Sequence, residues 1–265
     1  MNIGNRSQVT EPFVCAIMLT RDRPAMAARA VECFRRQTYE RKFLFVLDTS
    51  ISSWSPCARR ALAQSPESEG QSWLPRLRGK SIGALRNVAN AAALEPILVH
   101  WDDDDWSHPN RIAEQVALLQ SSGADAVGYR EMLFWRQRVQ YYDGGGIVGP
   151  GQAWLFASQS PKPYALGTSL CYWRKTWEAK PFPEVIQPHD PSVNWGEDTA
   201  WCRGLKIANS ADYGIIDSIG DVVMHPPMIA SIHGGNTSPA YSKLDPPEWK
   251  RVPQWDEYCR EAMKL

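Results

Sequence analysis

Four consecutive aspartates, Asp102 to Asp105, follow the apolar run Ile97-Leu98-Val99-His100-Trp101. The run reads as a buried strand that delivers several carboxylates to its carboxyl end. Like charges packed this closely repel, and a divalent cation bound between them relieves the cost. Hard cations such as Mg2+ and Mn2+ take oxygen ligands and leave positions for substrate phosphates. The cluster therefore points to a metal that holds a phosphorylated substrate. Two plainer readings compete. A cap for the helix expected near Pro109 needs only one residue, and Ser107 supplies it. A calcium loop of the EF-hand type needs glycine and glutamate where Ser107 and Ala113 stand, so that reading fails.

Two further segments carry candidate chemistry. Glu197-Asp198 follows Trp195-Gly196 and opens a helix, where acidic residues suit the helix dipole. In a cleft, Asp198 would accept a proton from an attacking hydroxyl. His233 follows an apolar run and precedes Gly234-Gly235, which leaves room for a ligand beside a neutral imidazole able to complete a metal site. His225, next to Pro226-Pro227, competes for that role, while His100 and His108 flank the aspartates and would tune them. Gly144 to Gly149 matches GxGxxG, but Pro150-Gly151 follows instead of a helix, so a loop or wide hairpin turn is expected. Tryptophans such as Trp101, Trp106, Trp195 and Trp201 fall near these segments and could stack on sugar or base, though packing explains most of them.

The elements that must position these groups alternate. A buried strand over 13–19, a turn at Thr20-Arg21-Asp22-Arg23, a helix over 24–36 and a strand over 43–47 ending at Asp48 suggest a parallel βαβ unit. Residues 49–80 are irregular and basic, through Arg59, Arg60, Arg76, Arg78 and Lys80, with a short helix expected over 56–63. Helices follow over 81–93 and 109–121, then strands over 126–142, 153–157 and 169–173, and a helix within 195–207. An apolar stretch over 222–232 and a short helix over 255–263 complete the reading. Nothing repeats and no linker stands out, so 1–265 is expected to be one α/β domain with a mostly parallel sheet.

Composition narrows the class. With 29 basic and 29 acidic side chains the formal charge is zero, which gives no global case for coating nucleic acid or a membrane surface. Residues 1–12 are polar and lack a signal-like core, and no apolar run is long enough to span a bilayer. The six cysteines are scattered without a CxxC pair, which disfavours a zinc ribbon and fits reduced core residues in the cytoplasm.

Taken in order, these segments resemble the family 2 glycosyltransferases over residues 13–237. Val14 to Pro24 looks like the opening strand and nucleotide-contacting turn, with Thr20, Arg21 and Arg23 on the donor. Phe45 to Ser50 resembles the second strand, whose Asp48 would face the donor base, although Leu47 and Thr49 replace an acid and a glycine of the pattern. Ile82 to Asn87 is similar to the segment that places Arg86 and Asn87 beside the donor. Asp102-Asp103-Asp104 overlays the DxD motif, and Gly167-Thr168-Ser169 the acceptor-side strand. Glu197-Asp198 matches the family's acid pair, and His233 to Thr237 its late histidine segment.

The resemblance implies a GT-A type, Rossmann-like three-layer fold with a central, mostly parallel mixed sheet. It implies a nucleotide-sugar half over 13–125, an acceptor half over 126–237 and a tail over 238–265. The activity it implies is metal-dependent, inverting transfer of a sugar from a nucleoside diphosphate sugar, UDP-linked, to an acceptor hydroxyl. Asp198 would be the base. Asp104 and His233 would hold Mn2+ or Mg2+, with Asp102 and Asp103 on the donor. Glu197, Trp195, Gly167 and Thr168 would face the acceptor, which is a glycan, lipid, protein or hydroxylated nucleic-acid base. The competing classes are a metal-dependent phosphoesterase or nuclease and a non-catalytic carbohydrate-binding module.

Overall fold

The opening strand, β1 (Val14–Thr20), is buried along nearly its whole length, as a central parallel strand must be. Pro24 sits in the first turn of α1 (Pro24–Arg35), where its missing N–H forfeits no helical bond. The chain returns in β2 (Lys42–Asp48), parallel to β1 from Val14↔Lys42 to Thr20↔Asp48. β3 (Gln71–Trp73) adds outside β2. α2 (Ile82–Ala92), capped by Ser81 Oγ accepting from Ala84 N at 3.2 Å, leads to β4 (Ile97–His100) on the other edge of β1. The computed structural model describes residues 11–51, 71–137, 139–141, 147–184, 196–210, 214–216, 222–233 and 247–264.

After β5 (Trp106–Ser107) and α3 (Arg111–Ser122), β6 (Ala126–Tyr129) joins the same sheet. Two later strands complete it, and its order is β3-β2-β1-β4-β11-β6-β12, with β11 at Cys171–Trp173 and β12 at Ile207–Ser210. Only β11 runs antiparallel to its neighbours. Alternation along β1 splits the core into two layers. Val14, Ala16 and Met18 pack with Ala27, Ala30 and Val31 of α1 and with Ile112, Val116 and Leu119 of α3. Cys15 and Ile17 share the opposite face with Leu85 and Ala89 of α2, with Trp177 of α4 (Arg174–Ala179) and with Trp201 of α5 (Glu197–Cys202). The result is the three-layer α/β arrangement expected from the sequence.

A second, five-stranded sheet was not foreseen. It comprises β16 (Trp249–Arg251), β10 (Gln152–Ala157), β7 (Glu131–Arg136), β15 (Met228–Ile232) and β5, in that order. Its β15–β5 pairing, Met228↔Ser107 and Ile229↔Trp106, returns the chain near residue 230 to the segment that follows the aspartates. Two hairpins stand apart, β8 (Val139–Tyr141) with β9 (Ile147–Gly149) and β13 (Ile215–Ile216) with β14 (Val222–Met224). Residues 142–146, between β8 and β9, where a loop or wide hairpin turn was expected, lie outside the described residues.

Several boundaries differ from expectation. The helix assigned to 109–121 begins at Arg111, and the Ser107 hydroxyl caps nothing; it accepts from Arg111 Nη1 at 2.9 Å. The single strand expected over 126–142 breaks at Arg130, because β6 and β7 belong to different sheets. Gly167–Ser169 is a 3-10 turn rather than strand, with β11 starting at Cys171. The tail contributes to the core through Trp255 and through Cys259 of α6 (Asp256–Ala262). Cys15, Cys33, Cys171, Cys202 and Cys259 are buried and unbridged. No helix among the described residues is long and apolar enough to cross a membrane. The helix expected over 56–63, Arg59, Arg60 and Trp195 lie outside the described residues.

Candidate active site

The chain leaves β1 toward β2 and β3 on one side and comes back to β4 on the other. At such a reversal the loops beyond the carboxyl ends diverge and open a crevice, the usual place for a ligand in an open α/β sheet. Here the crevice is flanked by the Thr20–Arg23 turn and by the aspartates that follow β4. Trp101 anchors the latter: its amide donates to Ile17 O at 3.0 Å and its buried indole Nε1 to Ala30 O at 2.9 Å.

The aspartates differ in their partners, although Asp103 and Asp104 share Arg23. Asp103 accepts from Thr20 Oγ1 at 2.7 Å and from Arg23 Nη1 at 3.2 Å. Asp104 Oδ2 receives the same Arg23 Nη1 at 3.1 Å and stands 3.0 Å from His233 Nε2. Asp105 points the other way, accepting from Ser231 N at 2.9 Å and from the Thr168 hydroxyl. Asp102 meets Arg86 Nη2 at 3.4 Å. Burial, then the Asp104 charge, push the Asp103 carboxyl up to about 6, although Thr20 and Arg23 pull against this. Burial and the same neighbours push Asp105 well up. The cluster is thus a crowded, desolvated set of acids that a cation would stabilise.

Arg86 joins this cluster to the Glu197-Asp198 pair. It is 5% exposed, with Nε 3.7 Å from Glu197 Oε1. Its buried Nη1 has no hydrogen-bond partner among the described residues. Burial opposes its charge, but Asp102 and Glu197 together hold it more firmly protonated than usual. Gly196, at φ +129°, makes the turn into α5 that few other residues could make. Asp198 Oδ1 accepts from Thr199 N at 2.7 Å. Burial first, and the Glu197 charge second, raise the Asp198 carboxyl to about 6.

The 167–169 turn links the two sets of acids. Thr168 bonds Asp105, while a Cβ placed on Gly167 would overlap the Asp198 carboxylate, so only glycine fits there. Arg111, 1% exposed, holds the turn from below by donating to Thr168 O at 3.0 Å and to His100 O at 2.9 Å. Sequence inspection missed Arg111, and it missed Arg29, which donates to the Asp104 carbonyl and, at 3.1 Å, to Met263 O. A basic residue at an inward-facing position of a helix was the available signal in both cases.

Other expected residues stand differently. Asp48, fully buried at the end of β2, accepts from Ser50 N at 2.9 Å beside the β1 turn. Arg21 is exposed, and its neighbour Asp22 (φ 56°) holds Arg78 Nη1 at 2.8 Å. Asn87 has both ends of its amide engaged by Trp177, Phe182 and Glu184 rather than turned to the aspartates. Of the two competing histidines, His233 is the one beside Asp104. His225 stacks on His108 at 5.3 Å between ring centres and bonds Tyr258 Oη at 3.1 Å. A cavity of ≈ 310 Å3 between α3 and the β6–β12 edge is lined by Glu114 and by none of these site carboxylates.

The donor set suits a hard cation: one carboxylate and one imidazole in contact, flanked by raised acids. Among the described residues no group of three or more His, Cys, Asp or Glu side chains is placed to hold a metal ion. A cation on Asp104 and His233 would have to draw its remaining ligands from substrate phosphates and water.

Residues 15–143 match the family model described as Glycosyl transferase family 2. A comparison with curated proteins finds no match. The fold is similar to that of S. aureus TarS 1–349 in complex with UDP (TM-score 0.57, 14% identity, covering 83% of this chain and 60% of that one). It is similar to TarS 1–349 in complex with UDP-GlcNAc (TM-score 0.56, 14% identity, 88% and 61% covered). A third similar structure is the mannosyltransferase PcManGT from Pyrobaculum calidifontis in complex with GDP-Man and Mn2+ (TM-score 0.53, 17% identity, 77% and 56% covered). The chain thus spans less than two thirds of each of these relatives. Sequence match and architecture agree: residues 15–143 match the family 2 glycosyl transferase model, and the fold is of the GT-A type.

Proposed function

We propose that the protein transfers a glycosyl group from a nucleoside diphosphate sugar, UDP-linked, to an acceptor hydroxyl with inversion. The observation that carries this reading is the convergence of a cation-hungry acid cluster at the β1–β4 reversal with a second, separate and partly buried carboxyl, Asp198. Arg86 and the 167–169 turn connect the two. Similarity to proteins named with UDP, UDP-GlcNAc and GDP-Man supports a nucleotide-sugar donor.

In this reading Asp48 and the Thr20–Arg23 turn hold the nucleoside end, and Asp102 and Asp103 the ribose side of the diphosphate. Asp104 and His233 would hold Mn2+ or Mg2+, which when bound supplies positive charge to the leaving diphosphate. Arg86, with its unpartnered Nη1, offers a further donor to developing negative charge. The acceptor oxygen forms a bond to the anomeric carbon while the bond to the diphosphate oxygen breaks, and the leaving group takes that electron pair. Asp198 accepts the acceptor's proton, a task suited to a carboxyl near 6. Attack from the face opposite the diphosphate inverts the centre in one step. Glu197, Gly167 and Thr168 would flank the acceptor. We propose that 1–265 works as one unit, with a donor half over 13–125 and an acceptor half over 126–237. The buried, unbridged cysteines fit a reducing, cytoplasmic setting.

The test is a thermal-shift screen of UDP-GlcNAc, other UDP-sugars and GDP-Man with Mn2+, followed by assay of nucleotide release. A UDP-sugar that raises Tm and is turned over is the expected result. Absence of any shift together with hydrolysis of simple phosphodiesters would move the protein to the phosphoesterase class.

A further inference from the structure

We propose that His100 is a positioning residue for the base, holding the Gly167 backbone against the Asp198 carboxylate. This rests on the glycosyl-transfer reading above. His100 ends β4 and directly precedes Trp101-Asp102, yet its ring is turned away from the aspartates. It is fully buried, with Nδ1 2.6 Å from Gly167 O and Nε2 3.2 Å from Tyr172 Oη. A carbonyl can only accept, so Nδ1 carries the proton. Nε2 must then accept from the Tyr172 hydroxyl, whose oxygen in turn accepts from Asn90 Nδ2 at 2.9 Å. One tautomer satisfies this buried chain, and the alternative leaves Gly167 O facing a lone pair. Tyr172 and Phe182 pack on the ring at 5.5 and 5.4 Å, which fixes its plane.

The other end of the chain is the base itself. Gly167 has no side chain because the Asp198 carboxylate occupies the space a Cβ would need. Thr199 N holds Oδ1 at 2.7 Å, and the Gly167 backbone limits rotation of the remaining oxygen. A shift of this wall would let the carboxyl leave the orientation that proton transfer requires, without touching the donor-binding groups. Burial, helped by Arg86 and Arg111, holds the imidazole neutral, which fits a fixed strut and not a proton carrier.

The test uses the full chain, UDP-GlcNAc with Mn2+ and water as acceptor, reading kcat and KM for nucleotide release together with Tm. Asparagine can present an amide N–H near the Nδ1 position, whereas glutamine reaches only toward Nε2. We expect His100→Gln to lower kcat about tenfold or more with KM changed less than about twofold. His100→Asn should restore kcat to within about threefold of the parent, and Tyr172→Phe, a milder change that keeps the core shape, should fall between them. Wild-type kcat in folded His100→Gln, or in Tyr172→Phe should the former not fold, would overturn the proposal. Equal impairment by Asn and Gln would also overturn it, since that marks packing alone. If the parent protein neither binds nor turns over UDP-GlcNAc or GDP-Man, the glycosyl-transfer reading fails and takes the proposal with it. Normal parental turnover with indifferent variants sinks the positioning role only.

Discussion

Asp103, buried, and Asp198, partly buried, are both carboxyls raised to about 6, yet their surroundings differ in kind. Asp103 sits among other carboxylates and shares one cation, Arg23, with Asp104. Asp198 has one acidic neighbour, Glu197, whose charge is partly met by Arg86, and it rests on bare backbone at Gly167. In the first region repulsion is spread over several acids, and a divalent cation relieves it best. In the second, burial isolates one carboxyl, and a proton relieves it best. The same residue type, raised to a similar value, is thereby suited to two different tasks by what stands next to it.

The sharpest way to break this contrast is Asp198→Asn. It should lower kcat by about 10²–10⁴-fold while leaving the donor-induced Tm shift in place; a matching loss of donor affinity would erase the distinction between the regions. Removing divalent cation with EDTA should cut turnover about a hundredfold or more, and Mn2+ should restore it. Asp104→Ala should also lose the Mn2+-dependent Tm shift. Full turnover in excess EDTA would detach the aspartates from any metal.

The pH dependence sharpens the comparison further. A base works only when ionised, so with Asp198 in the proposed role kcat/KM should fall about tenfold per pH unit below about 6 and level off above it. A profile flat down to pH 4.5 would count against that carboxyl as the base. The smallest effect is on stability. A carboxyl with a raised folded pKa favours folding fully below its unfolded value and loses that contribution as pH rises through the folded one. For Asp103 the window runs from 3.8 to about 6. In metal-free buffer, Asp103→Asn should therefore stabilise the protein at pH 7.5 by about 1 kcal/mol, after the lost Thr20 and Arg23 bonds are offset, and by less at pH 4. Urea unfolding at the two pH values measures this, and a larger gain at pH 4 would reverse the sign of the argument.

Much of the architecture up to β4 was legible in the chain. Val14–Thr20 and Ile97–His100 are short apolar runs that end in polar, chemistry-bearing residues. Pro24 marks a helix start, and the alternation of strand and helix around them fixes a parallel unit. The later elements were harder. The run 126–142 reads as one strand because its composition does not change at Arg130, where the chain passes from one sheet to the other. The turn at Gly167–Ser169 has strand-like neighbours and gave no local sign of being a 3-10 turn. The role of residues 249–262 in the core was equally hidden, since a short strand and a seven-residue helix carry little periodicity of their own.

The amino-acid sequence by itself determined which residues are available: a row of acids after a buried strand, an acid pair opening a helix, a late histidine, and the hydrophobic pattern that makes a three-layer α/β fold. Those features are local, because strand and helix periodicity are written within a few residues. Only the tertiary structure decided the pairings: His233 with Asp104, Arg86 with both Asp102 and Glu197, Thr168 with Asp105, and the backbone of Gly167 with Asp198. Most of these contacts join residues far apart in the chain, and they exist because β15 pairs with β5 and β11 lies between β4 and β6. Strand order is a property of the whole packed sheet, so no single segment encodes it.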